Sequence, residues 1–188
     1  ALRPAEGGIA VVVGPGLRDG TAAAEAINIA RMLNAEILFA SGASNLQGAI
    51  DMGVHPGLLP GGRPAGDDAA GQACADVWGR PVPDSSGLGT DAILAGAAEG
   101  GIKGLYLFEC DPAAEHPDGD FARRGLAGAE FVVVHASHRN ASLEYANVIL
   151  PALTTYEEEG TVTNMERRVQ RLRRAVKPPA GPGGREAW

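Results

Sequence analysis

The feature that most constrains this chain is a spacing. Short apolar runs alternate with helix-period stretches, at roughly 25 to 30 residues from the first run to the second and from the third to the fourth, which is the signature of β-α-β units. Residues 8–13 form a continuous apolar run ending at Gly14-Pro15-Gly16, which reads as a buried strand entering a turn. Ala22, Ala26, Ile29, Ala30 and Leu33 then recur at helical spacing, with Thr21 as N-cap and Asn34 as stop. Residues 36–40 are the second strand. After a Gly/Pro-rich stretch to about Asp68, helical periodicity returns over 69–78 and 91–99. Strands follow at 104–108, 131–134 and 147–150, the last ended by Pro151. The expected fold is α/β, an open, mainly parallel sheet with flanking helices.

Composition agrees with a packed domain. The 188 residues are 45% hydrophobic, enough for an ordinary core. Gly and Pro are frequent but carry no period, which excludes a collagen-like chain. A net charge of -7 opposes general attraction to nucleic acid or anionic lipid, so neither is expected as a partner. No apolar run approaches the ~20 residues that span a bilayer, so direct membrane insertion is not expected either. Cys74 and Cys110 give no zinc or disulfide spacing, and a reducing cytoplasm is the expected home. The start without Met and the Pro/Gly-rich residues 178–188 read as a segment, with a terminal linker, of a longer polypeptide.

Several residue patterns invite a catalytic reading and fall short of it. Gly14, Gly16 and Gly20 follow a strand, but their spacing departs from G-x-G-x-x-G and the second strand ends without the acid that holds a ribose. A stand-alone module binding ADP or NAD through this opening is therefore disfavoured. His135 and His138 lie beyond the fourth strand near Ser137 and Ser142, with no G-x-S-x-G elbow and no carboxylate in local sequence to orient them. Residues 157–159 are three adjacent glutamates on what reads as a polar turn reaching Asn164, more easily solvated than organised around a cation. Residues 167–177 hold six of the sixteen basic residues without interleaved aromatics, which fits a solvated edge strand or helix, or a protein edge, better than base stacking.

Three collinear blocks add a different kind of information. The first is Asn45, Gln47, Gly48, Ala49, Asp51, Met52 and Gly53 with Pro60-Gly61. The second is Gly101-Ile-Lys-Gly-Leu-Tyr106 with Asp111-Pro112 and Pro117-Asp118. The third is Ala146-Asn-Val-Ile-Leu-Pro151, Glu159-Gly-Thr-Val-Thr-Asn164 and Glu166-Arg-Arg-Val-Gln170. In this order they resemble the molybdopterin oxidoreductase superfamily. The resemblance implies Rossmann-like lobes, residues 1–44 at the edge of one and 45–177 forming the next with its exit segment. Two branches share it: the large iron-sulfur (G) subunit of bacterial NADH-quinone oxidoreductases, and the catalytic subunit of formate dehydrogenases.

Departures from the pattern favour the first branch. Active members place a Gly-Glu-(Asn/Asp)-Pro turn, a Gln-Asp pair and a Thr against a guanine dinucleotide. Here those places read Glu109-Cys110-Asp111-Pro112, His135-Ala136 and Ser142. A Glu in place of Gly puts a side chain where backbone would approach phosphate, and Ala removes a carboxylate acceptor. The resemblance thus implies a vestigial cradle, made of Asn45, Gln47, Gly48, Asp111, Pro112, His135 and Ser142, and a structural turn at Glu159, Gly160, Thr161 and Asn164. The segment itself is expected to hold no catalytic residue, metal or cofactor. The parent would carry iron-sulfur clusters and sit among other subunits, in the cytoplasmic peripheral arm of a bacterial respiratory complex passing electrons from NADH to quinone. A molybdopterin guanine dinucleotide is expected only on the formate dehydrogenase alternative. Glu166-Arg167-Arg168 is the one spelling closer to that alternative.

Overall fold

A computed structural model describes residues 8–14, 20–40 and 42–178. Gly16, from the glycine pattern, and residues 179–188 of the expected linker lie outside them. In chain order the elements begin with β1 (Ala10–Val13), α1 (Gly20–Met32), β2 (Glu36–Phe39), α2 (Leu46–Asp51), β3 (Leu58–Leu59), β4 (Arg63–Pro64) and α3 (Asp68–Trp78). They continue with α4 (Thr90–Ala98), β5 (Gly104–Phe108), α5 (Pro112–Glu115), α6 (Gly119–Gly128), β6 (Phe131–Ala136), β7 (Val148–Pro151), β8 (Gly160–Thr163) and β9 (Val169–Leu172). A 3₁₀ turn, Ala141–Tyr145, joins β6 to β7. No helix among the described residues is long and apolar enough to cross a membrane.

The α/β expectation holds, with parallel sheets and flanking helices. β1 and β2 pair in parallel from Ala10↔Glu36 to Val13↔Phe39. β5, β6 and β7 form a second, wholly parallel sheet in that order. Strand β5 alternates as a half-covered strand should: Leu105 and Leu107 are buried, while Tyr106 and Phe108 are about half-exposed on the opposite face. Leu94 and Ala97 of α4 and Leu126 of α6 pack with Leu105, Leu107, Val132 and Val134 into one core. The first strand differs from its reading as buried. Of β1 only Val13 is buried, because the described residues lay little over this two-stranded sheet.

Helix α6 is absent from the sequence reading because its glycines look like breakers, each costing about 1 kcal/mol in a helix interior. Their use here is close approach. A Cβ on Gly125 would stand 2.7 Å from Leu94 O, and one on Gly128 would stand 2.5 Å from Ala97 O, so the two glycines let α6 lie directly on α4. The expected N-cap of α1 is displaced, since Thr21 lies inside that helix, which begins at Gly20. Asp67 caps α3 by accepting from Ala70 N–H at 3.0 Å, and Asn34 ends α1 at φ 48.

The expected polar turn at 157–164 is a correction. Gly160–Thr163 is a strand, β8, antiparallel to β9 with Thr161 opposite Arg171 and Thr163 opposite Val169. The β-branched run Thr161-Val162-Thr163 suits a pleated edge, and the basic residues after it supply the partner strand. The turn lies further on, where Asn164 Oδ1 accepts from the N–H groups of Glu166 (3.1 Å) and Arg168 (2.9 Å).

Candidate functional site

In an open parallel sheet, ligands meet the chain in the crevice beyond the carboxyl ends of the strands. For β5, β6 and β7 that edge is formed by Glu109 to Pro112 and by Ala136 to Ser142. Both Asp111 oxygens are used there. Oδ2 accepts from Ala141 N–H at 3.0 Å, and Oδ1 accepts from Ser142 N–H at 2.9 Å and from Ser142 Oγ–H at 2.6 Å. Ser142 is fully buried, and its hydroxyl oxygen also accepts from Ala113 N–H at 3.2 Å. Burial would raise the Asp111 pKa. The Ser142 hydroxyl and the amides of Ala141, Ser142 and Ala114 outweigh it and hold the carboxyl below the usual range. Pro112 opens α5 at a position where a missing N–H does no harm.

His135 ends β6 at 1% exposure. Its Nδ1 meets the Tyr106 hydroxyl at 2.9 Å, and its ring stands edge-on to Phe108 with centroids 4.8 Å apart. Nε2 is buried without a hydrogen-bond partner among the described residues. Phe108, His135 and Leu150 are in register, so the histidine belongs to the sheet face away from α4 and α6. Beside it, Glu109 takes φ 49, a left-handed conformation that costs a non-glycine residue about 1 kcal/mol. Its N–H donates to His135 O at 2.9 Å, and its Oε2 accepts from Ser137 Oγ–H at 2.9 Å. Burial pushes the neighbouring Cys110 thiol up, against a backbone hydrogen bond from Phe108, so this cysteine is held as the thiol.

Asn45, Gln47 and Gly48 form a second group. Asn45 precedes α2 at φ 60, and its Oδ1 accepts from Thr163 N–H of β8 at 2.9 Å. Gly48 is buried beneath this bond; a Cβ there would overlap Asn45 Oδ1 and stand 3.2 Å from Thr163 Oγ1. Gln47 Nε2 donates to Asp51 Oδ1 at 2.8 Å, and Arg167 reaches the same oxygen at 3.0 Å. These residues therefore seat α2 on the β8–β9 hairpin. Glu159, just before β8, pairs with Arg171 at 3.6 Å with both side chains more than half exposed. Glu157, from the same acidic run, turns inward instead. Thr154 N–H (2.8 Å) and hydroxyl (2.9 Å) donate to it and hold its pKa down.

A cleft of about 1050 Å³ lies between the end of β5 and the β8–β9 hairpin, with walls that include Asn45, Phe108, Glu109, Gly160 and Val162; Gln47, Gly48, Pro112 and His135 do not line it. Asn45, Glu159, Gly160 and Thr161 reach it, while Asp111 and Ser142 point into their own turn. The sequence reading missed the links that join distant segments: Asn45 to Thr163, Asp51 to Arg167 and Tyr106 to His135. Only the polar residues at otherwise apolar strand positions, Tyr106 and His135, signalled such a link.

The molybdopterin oxidoreductase family model matches residues 10–186. The chain belongs to this family. It is 36% identical over 154 residues to an NADH-quinone oxidoreductase subunit, of the G type, from Rhizobium meliloti, covering 81% of this chain and 18% of that one. It is 33% identical over 190 residues to the NADPH-Fe(3+) oxidoreductase subunit alpha of Geobacter sulfurreducens, covering 96% and 22%. With the F420-dependent formate dehydrogenase subunit alpha of Methanocaldococcus jannaschii it shares 34% identity over 138 residues, 73% and 20% of the two chains. The chain thus spans about a fifth of the length of these family members.

Proposed function

We propose that this chain is a scaffold segment of the G-type subunit in an NADH-quinone oxidoreductase, and that its crevice no longer grips a molybdopterin guanine dinucleotide. One observation carries the reading: both Asp111 oxygens and the buried Ser142 hydroxyl are bonded to each other and to nearby amides. A ligand seeking those groups would have to replace bonds already made inside the fold. The side chain of Glu109 at φ 49 and the Tyr106-bound His135 fit such a ligand no better. The residues present do not fit the cofactor, and no chemical step is assigned to them.

On this reading, residues 1–44 edge one lobe and 45–177 make up the next. The parent carries the iron-sulfur clusters, partners other subunits in a cytoplasmic peripheral arm, and passes electrons from NADH toward quinone. The alternative, a formate dehydrogenase-type parent, draws on the archaeal relative and on Glu166-Arg167-Arg168. Metal and pterin analysis of the full-length polypeptide separates the two. Iron without stoichiometric molybdenum or tungsten, and without guanine nucleotide released on denaturation, is the expected result. Stoichiometric molybdenum with guanine nucleotide would overturn the scaffold reading in favour of the alternative.

A further inference from the structure

Glu109 is the first residue past β5 and lines the cleft between the sheet edge and the β8–β9 hairpin. Its φ of 49 is a conformation for which glycine is the ordinary occupant. The strain is held in place on two sides. The backbone N–H is tied to His135 O, and the carboxylate accepts the Ser137 hydroxyl hydrogen, with His138 Nδ1 3.0 Å from the same hydroxyl. An acidic side chain is thereby fixed beyond the ends of two adjacent parallel strands, where an open α/β sheet receives its ligand.

We infer that Glu109 is a built-in occupant of this crevice: its carboxylate takes the hydroxyl donor that an incoming phosphate oxygen would use, and its charge repels the anion. The inference deepens the scaffold reading and rests on it. A like charge about 4 Å from a bound phosphate weakens its binding by about 5- to 1000-fold, depending on how much water reaches the pair. Glycine at this position would relieve the backbone and remove bulk and charge together, whereas glutamine would remove the charge alone.

The test is calorimetric titration of the full-length polypeptide with inorganic pyrophosphate and with GDP, for the native protein, E109G and E109Q. The native protein should show no saturation by about 1 mM. E109G should bind at least about fivefold more tightly, with E109Q between the two. E109Q carries the test by itself if E109G fails to fold. Should neither variant bind better than the native protein, the role of Glu109 is overturned while the scaffold reading stands. Saturable binding by the native protein below that concentration would overturn both.

Discussion

Replacing Asp111 with alanine should destabilise the chain by about 3 kcal/mol, a figure that follows from where its partners sit. Three N–H or O–H groups donate to its carboxylate, and hydrogen bonds to a charged acceptor contribute about 1.5–3 kcal/mol each. Ala141 is exposed, so its freed N–H finds water. Ser142 is fully buried and its N–H and hydroxyl do not. Two bonds at the lower value give the estimate, equivalent to a fall in Tm of about 6–12 °C for a chain of this size. The pH dependence gives an independent check. The folded carboxyl titrates below the usual range, so its contribution is complete above the ordinary value of about 3.9 and drains away as pH falls through the lower folded value. D111N, which cannot ionise, should therefore lag the native protein most at about pH 5 and above and close the gap below about pH 4. Guanidinium unfolding followed by circular dichroism at about pH 7, 5 and 3 measures both effects. A D111A loss under about 1 kcal/mol at neutral pH, or a D111N gap that widens on acidification, would refute the assignment of Asp111 and Ser142 as an internal clasp.

Two further predictions use the same unfolding assay. The His116 pKa is raised by its hydrogen bond to Asp91 at 3.0 Å, against a smaller opposing effect of burial and with help from the Asp118 backbone. Stability from this pair is present in full below the ordinary imidazole value of about 6.5 and is lost as pH rises through the higher folded value. D91N should accordingly be less stable than the native chain at about pH 5.5 and approach it at about pH 8.5, and a constant gap would count against the pairing. On the β8–β9 hairpin, Asn164→Ala removes an acceptor for two amides and should lose about 1 kcal/mol, whereas Glu159→Ala breaks only an exposed ion pair and should stay within about 0.5 kcal/mol. Equal losses for the two would contradict this division of roles.

The alternation of strand and helix was legible because each parallel strand is a short apolar run between helix-period stretches, as 104–108 and 131–134 are, the second of them β-branched. Illegible were the elements whose residues serve a neighbour rather than themselves. Gly125 and Gly128 lower the helical signal of α6 because α4 occupies the space their side chains would fill. β8 carries no apolar alternation, since it pairs with β9 on an exposed edge and buries little, whereas the reading of 167–177 as a solvated edge strand or helix already included β9 as a strand. Propensity records the local cost of such residues, and the compensation comes from contacts the sequence does not display.

At the candidate site the residue types were legible and their direction was not. Asp111 and Ser142 meet beyond β5 and β6, His135 ends β6 bonded to Tyr106, and Asn45, Gln47 and Gly48 sit apart at the start of α2. Direction depends on partners about 30 residues away along the chain: Asp111 turns toward Ser142 because the 3₁₀-turn amides of Ala141 and Ser142 present themselves to it, and His135 turns toward Tyr106 because the two strands are in parallel register. Glu109 shows why the difference matters. Read as a letter it is a glutamate where the family resemblance implies glycine; in the fold it takes φ 49, an angle glycine adopts freely, and its carboxylate is tied to Ser137. At φ 49 its backbone N–H is bonded to β6 and its side chain to the residue just after that strand, so Glu109 is tied at both ends to the exit of the neighbouring strand.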